Sequence, residues 1–297
     1  MQSWILAVAV FAGLVFPSLA HLLAPLFEPS LFTVILFALL ALEPEEWLEF
    51  SPLTWKLAAV LVILQMFAVP GLIGVVSVTF DAGPWVDLLV LIVAASSLFG
   101  APAFAHLIGL PRPLVLAGVL VSTLLLPLSV VIALWWGNDT GFLFDGGAYI
   151  QRVGLYLALP ILIATVYHVV TRQYIPRLSA TFVNGGVLTG LIVFAIAVMD
   201  GVTERFFESP TRAGLIALAA LLLHGTLFVV GYLMARWIRP TLGMQGGVLF
   251  AYRNVGLLAV VSGASASRDF MLFVAIWQIP MYVSPLLLQL WGRRSGR

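Results

Sequence analysis

Few residues in this chain can do chemistry, and they are embedded in hydrocarbon. The run Gly246-Gly247-Val248-Leu249-Phe250-Ala251-Tyr252-Arg253-Asn254-Val255-Gly256-Leu257-Leu258 places a guanidinium and a carboxamide side by side between apolar flanks. At mid-membrane depth an ionised side chain costs roughly 2.5–3.5 kcal/mol on the insertion scale, so a retained arginine marks function by default. A guanidinium stays protonated and donates only. Its natural partners are therefore an anionic substrate, water, or carbonyls of an opposing segment. Two accounts of Arg253 stay open: a role in substrate binding or gating, and a structural tie to Gln65, Asn254 and backbone carbonyls. Other candidates are His106, able to carry a proton near neutral pH, and Ser122 and Thr123. For His106 the plainer account is a neutral ring buried with one hydrogen-bond partner. Ser96, Ser97, Ser122 and Thr123 can bond between helices or back to carbonyls, or line the site. Asp87 complements a helix N-terminus, or carries a proton.

Elements long enough to cross a bilayer must position these groups. Of 297 residues 62% are hydrophobic and 9% charged, against about 25% charged in soluble domains, which defines a polytopic membrane protein. Ten apolar segments stand near 3–23, 31–42, 57–78, 86–109, 113–136, 153–170, 178–199, 213–235, 242–264 and 270–291. The second is too short to span upright and reads as a half-depth segment. The first has no Lys or Arg before Lys56 and reads as a retained helix rather than a signal peptide. Tryptophans cluster near segment ends, as an interfacial belt requires. The acidic run Glu43, Glu45, Glu46 and Glu49 reads as a solvated interfacial face, and Asp139 and Asp145 as solvated loop residues.

Lys56, Arg112, Arg172, Arg177, Arg236, Arg239, Arg293, Arg294 and Arg297 fall on the side holding the N-terminus, and Arg152, Arg205, Arg212 and Arg268 on the other. That bias places both termini in the cytoplasm, in what reads as a bacterial inner membrane. Ten helices divide into two inverted five-helix repeats, residues 1–136 and 150–292, within a single transmembrane transporter domain. Helix four, at Gly100-Ala101-Pro102, and helix nine, at Tyr252-Arg253-Asn254, are expected to be broken at matching places in the two halves. The intervals agree: Pro102 and Pro127 are separated by nearly the same number of positions as Asn254 and Pro280.

The sequence excludes several classes. Net charge is +1 and cysteines are absent, so neither a nucleic-acid partner nor a thiolate metal site is expected. His21, His168 and His224 lack metal-ligand spacing and read as interfacial or packing residues. No phosphate-binding glycine loop, HExxH or Gly-x-Ser-x-Gly elbow occurs. The expectation is therefore no enzyme, no metal and no cofactor.

Three stretches carry a family resemblance. Gln65-Met66-Phe67-Ala68-Val69-Pro70-Gly71, the region from Phe104-Ala105-His106 through Ser122-Thr123 to Pro127-Leu128, and Arg253-Asn254-Val255-Gly256 resemble the bile acid:sodium symporter family. The resemblance implies a ten-helix bundle with a panel and a core, the core built on two crossing broken helices. It implies a secondary transporter of a small organic anion, bile-acid-like or a carboxylate. The substrate-binding residues it points to here are Arg253, Asn254, Gln65, His106, Ser122 and Thr123. Where sodium-coupled relatives carry a serine-asparagine pair, helix-five hydroxyls and a glutamate, this chain has Ala101, Pro102, Val115, Val119 and Leu249. Sodium wants several oxygen ligands, and at ~4 Å a guanidinium repels it by about 4 kcal/mol at an effective dielectric of 20. Sodium coupling through the usual sites is thus not expected, and Arg253 takes sodium's electrostatic place. The alternative is a non-transporting ligand-binding or sensory protein of the same fold.

Overall fold

Proline punctuates this chain by opening helices rather than ending them. Pro17, Pro52, Pro113 and Pro210 each occupy the first helical position, where the missing N–H is no loss. Ser51 and Ser179 cap the helices that follow them by accepting from Thr54 and Phe182 N–H, both at 3.2 Å. The computed structural model describes residues 3–42, 50–80, 84–136, 146–173, 177–262 and 267–294. The acidic run at Glu43, Glu45, Glu46 and Glu49, the loop with Asp139 and Asp145, and the side chain of Asp87 lie outside what is described.

The elements are α1 (Ser3–Val15), α2 (Pro17–Leu40), α3 (Pro52–Phe80), α4 (Pro84–Val93), α5 (Ala101–Leu107), α6 (Pro113–Trp136), α7 (Gly146–Thr171), α8 (Ala180–Ala197), α9 (Val202–Glu208), α10 (Pro210–Ile238), α11 (Gly243–Ala251), α12 (Val255–Ser262) and α13 (Arg268–Arg294). Six stretches are long and apolar enough to cross a membrane: α2, α3, α6, α7, α8 with α9, and α10. The chain is an all-helical integral membrane protein over the described residues.

One expected boundary is corrected. The first segment ends at Val15 and the second begins at Pro17, so the supposed half-depth piece at 31–42 is the second half of a 24-residue helix. Pro25 lies in a single 3₁₀ turn, Ala24–Leu26, and Pro29 inside the helix that continues from it. Neither interrupts the path.

The helices pack in two sets. α2 lies along α8 and α7, and α1 along α8; α3 packs on α4 and α6, while α10 packs on α11 and α13. Contact between the sets includes α1 against α13. Within the second set, Gly231 of α10 and Gly246 of α11 allow the closest approach. A Cβ on Gly246 would stand 2.2 Å from the Ala235 Cβ and 2.5 Å from the Gly231 carbonyl oxygen. Small residues let helix backbones touch in this way.

Candidate functional site: two paired helix breaks

The segment between α4 and α5 (94–100) and the segment between α11 and α12 (252–254) lie against each other. Leu98 N–H donates to the Tyr252 carbonyl and Asn254 N–H to the Ser96 carbonyl, both at 2.7 Å, an antiparallel bridge pairing Ser97 with Arg253. Ser97 and Arg253 have no solvent exposure and Asn254 has 2%. A broken helix exposes backbone groups that lipid cannot satisfy, and here each break supplies partners to the other.

Arg253 completes the arrangement. Its Nη1 donates to the Ala95 carbonyl at 3.0 Å and its Nη2 to the Gln65 carbonyl at 3.3 Å, with Cζ 5.8 Å from the centre of the Phe250 ring. Ala95 lies just past the C-terminus of α4, the negative end of that helix dipole, where a cation is favoured. Gln65 offers its carbonyl for a local reason. Residues Leu64–Ala68 form a π turn in which Val69 N–H bonds the Leu64 carbonyl instead of Gln65. The next residue, Pro70, has no N–H. Both helical donors to the Gln65 carbonyl are thereby removed, and the guanidinium takes their place.

The side chains around the break are bonded in series. Gln65 Nε2 donates to Ser97 Oγ at 2.8 Å, and Ser97 Oγ lies 3.0 Å from the Leu249 carbonyl it donates to. Ser97 N–H donates to Ser122 Oγ at 3.1 Å, and Ser129 Oγ to the Ala94 carbonyl at 2.9 Å. Asn254 Oδ1 accepts from Leu257 N–H at 3.1 Å, capping α12.

Of the six residues expected at the site, Arg253, Asn254, Gln65 and Ser122 thus meet at the crossing. Thr123 is buried with its hydroxyl unpartnered in the protein and faces a neighbouring cavity. His106 does not join them: it sits in the last turn of α5 with an exposed side chain. Ser97, named from sequence only among hydroxyls able to bond between helices or line the site, is at the centre of the network. Ser129 is the residue that sequence reasoning did not name. Leu249, Val115, Val119 and Ala101 are buried hydrocarbon, and the oxygen of Leu249 that matters is its carbonyl.

Beside the crossing is a cavity of about 10 Å³, lined among others by Arg253, Gln278 and Tyr282, room for one water. Arg253 Nε, Gln278 Oε1 and the Tyr282 hydroxyl have no partner in the protein. Beyond Phe99, which lines both, a cavity of about 420 Å³ lies between α2, α3, α6 and α7. At the other end the two helix sets are tied together. Arg152 of α7 donates to Glu28 Oε1 at 2.8 Å and to the Val260 carbonyl of α12 at 2.9 Å, while Tyr156 donates to the other Glu28 oxygen. Arg205 of α9 donates to the Arg268 carbonyl at the start of α13. Among the described residues no three His, Asp or Glu side chains converge.

The fold and site define an integral membrane protein organised on two mutually paired helix interruptions with an arginine held between them. No family model matches the chain, and no curated protein matches it significantly.

Proposed function

We propose that the chain is a secondary transporter of a small organic anion, of the bile acid:sodium symporter type, working without sodium at the usual sites. The observation that carries the reading is the pair of interrupted helices joined at their breaks, the arrangement from which transporters build central binding sites. Ten segments read as two inverted repeats of five are supported by the packing. The first two of each half (α1 and α2; α7 and α8) keep together, and the last three of each half make most of their contacts among themselves, with α1 against α13 as the main contact between the sets. In this reading the first set is the panel, the second the core, and the cavity beyond Phe99 is the open half of an alternating-access pathway, on the cytoplasmic side with both termini.

Arg253 acts as a fixed cation. Two of its nitrogens already serve carbonyls, so it holds the crossing together where a mobile ion otherwise would. Choline replacement of sodium distinguishes this from ordinary symport. Proteoliposomes holding the protein are expected to accumulate an organic anion at the same rate in sodium and in choline. Strict sodium dependence ends the fixed-cation proposal. Saturable binding with no flux of any organic anion favours the sensory alternative.

A further inference from the structure

We propose that the ligand is a single-chain amphiphile with an anionic head, taken laterally from the membrane leaflet, and that it occupies two joined cavities with Arg177 and His168 at the joint. This names the substrate class and rests on the transport reading for the ligand's fate, though not for its binding.

The larger cavity, about 420 Å³, is walled mainly by hydrocarbon: Leu39, Trp55, Leu120, Val121, Ile161 and Ala164 among others. Two of its lining residues, Leu124 and Val169, are 67% and 61% exposed. On a transmembrane helix such positions face acyl chains, so the slot opens sideways into lipid. Along α7 it extends from Ile161 to Val169, eight residue steps or ~12 Å at the helical rise.

The second cavity, about 210 Å³, shares His168 and Arg177 with the first and adds Tyr167 and Asn184. Its chemistry is that of a head group: a guanidinium for a charged oxygen, plus the Asn184 amide and the Tyr167 hydroxyl as donors. His168 is oriented by its Nε2, 3.0 Å from the Leu39 carbonyl. A carbonyl only accepts, so Nε2 carries a proton toward Leu39 and that bond holds the ring in place at the joint. Trp55 lines the slot as well, and tryptophan beside a basic residue is the pairing of a membrane interface. A water-borne hydrophilic anion has no use for the tail slot, and a neutral alkane has none for the head cavity. Fatty carboxylates and alkyl phosphates share the required chemistry.

The slot also reaches the crossing. Phe99 belongs to the break between α4 and α5, and the buried Thr123 hydroxyl follows Ser122, which accepts from the break at Ser97. A bound tail therefore leans on the segment that has to move.

The test is equilibrium binding of radiolabelled decanoate to the protein in zwitterionic lipid nanodiscs, with empty nanodiscs as the partition blank. Competition by decanol, decyl phosphate and butyrate separates tail from head. Saturable binding is expected, with decyl phosphate competing, decanol competing weakly and butyrate not at all. Arg177→Gln, at an exposed position, is expected to weaken decanoate about tenfold and leave decanol unchanged. Val169→Trp, at the lipid-facing rim, is expected to weaken both. Absence of binding above the blank overturns the inference, as does equal competition by butyrate or equal loss of decanoate and decanol in Arg177→Gln. Decanoate binding without flux ends the transport reading and leaves this site; flux of another anion without decanoate binding does the reverse.

Discussion

The five-residue interval between Gln65 and Pro70 is what makes a main-chain oxygen available to Arg253. An α-helix would fill that oxygen from Val69 and a π turn from residue 70; the π turn removes the first donor and proline the second. Replacing Arg253 with Met leaves two buried carbonyls without their donor. Each costs ~1–3 kcal/mol unsatisfied, so thermal unfolding of Arg253→Met in detergent is expected to show a loss of about 2 kcal/mol or more. Ser97→Ala strips the Gln65 amide of its acceptor and is expected to cost about 1–2 kcal/mol in the same assay. Arg253 was legible in sequence because an ionised group amid apolar residues is expensive in lipid. Its tie to Gln65 and to carbonyls of an opposing segment was legible too, but not which atoms make it, because every residue carries a carbonyl and no letter marks the one whose donors are missing. Ser97 and Ser96 read alike as letters; only the coordinates show Ser97 bonded to Gln65, Leu249 and Ser122, and Ser96 Oγ without a partner. His106 looked close to the break because it follows it in sequence, yet it falls on the outer face of a seven-residue helix.

At the level of elements, hydropathy located most of the helices and misplaced the joint between the first two. The joint was expected between residues 23 and 31, whereas the break falls at Phe16 and Pro17. A proline within the first turn or in a 3₁₀ turn removes no bond the helix was making, and composition alone does not reveal which case applies. The α10–α11 contact is set by glycine, so Gly246→Ala is expected to force the pair apart and cost roughly 1–3 kcal/mol, the usual penalty of overpacking. A scan of apparent stability checks it. Arg152 and Arg205 grip Val260 and Arg268, on either side of the α12–α13 connection, from the opposing helix set. Removing both side chains should let that end part. The chain lacks cysteine, so a single Leu31→Cys, buried at 4% in the parent, reports the opening. Maleimide is expected to react about tenfold faster in the Arg152→Ala, Arg205→Ala background, the effect of ~1.4 kcal/mol. Unchanged reactivity means that the two arginines do not hold that end shut.

Taken whole, the molecule has a sealed end and an end with a large cavity, and the partition of helices into two packing sets underlies both. That partition was not legible in the sequence from pattern, because helices apolar on every face carry no code for which neighbour they choose. It entered only as an implication of resemblance. The positively charged residue between the breaks has an electrical consequence. In the transport cycle proposed for this chain, a carrier whose coupling cation is covalently part of the protein returns empty with its charge still aboard and travels neutral when it holds a monoanion. Moving one elementary charge through the full membrane field is worth about 2.3 kcal/mol per 100 mV. The unloaded return step, rather than the loaded one, then senses voltage. Capacitive currents on a solid-supported membrane should shrink as anion is added, and disappear in Arg253→Gln.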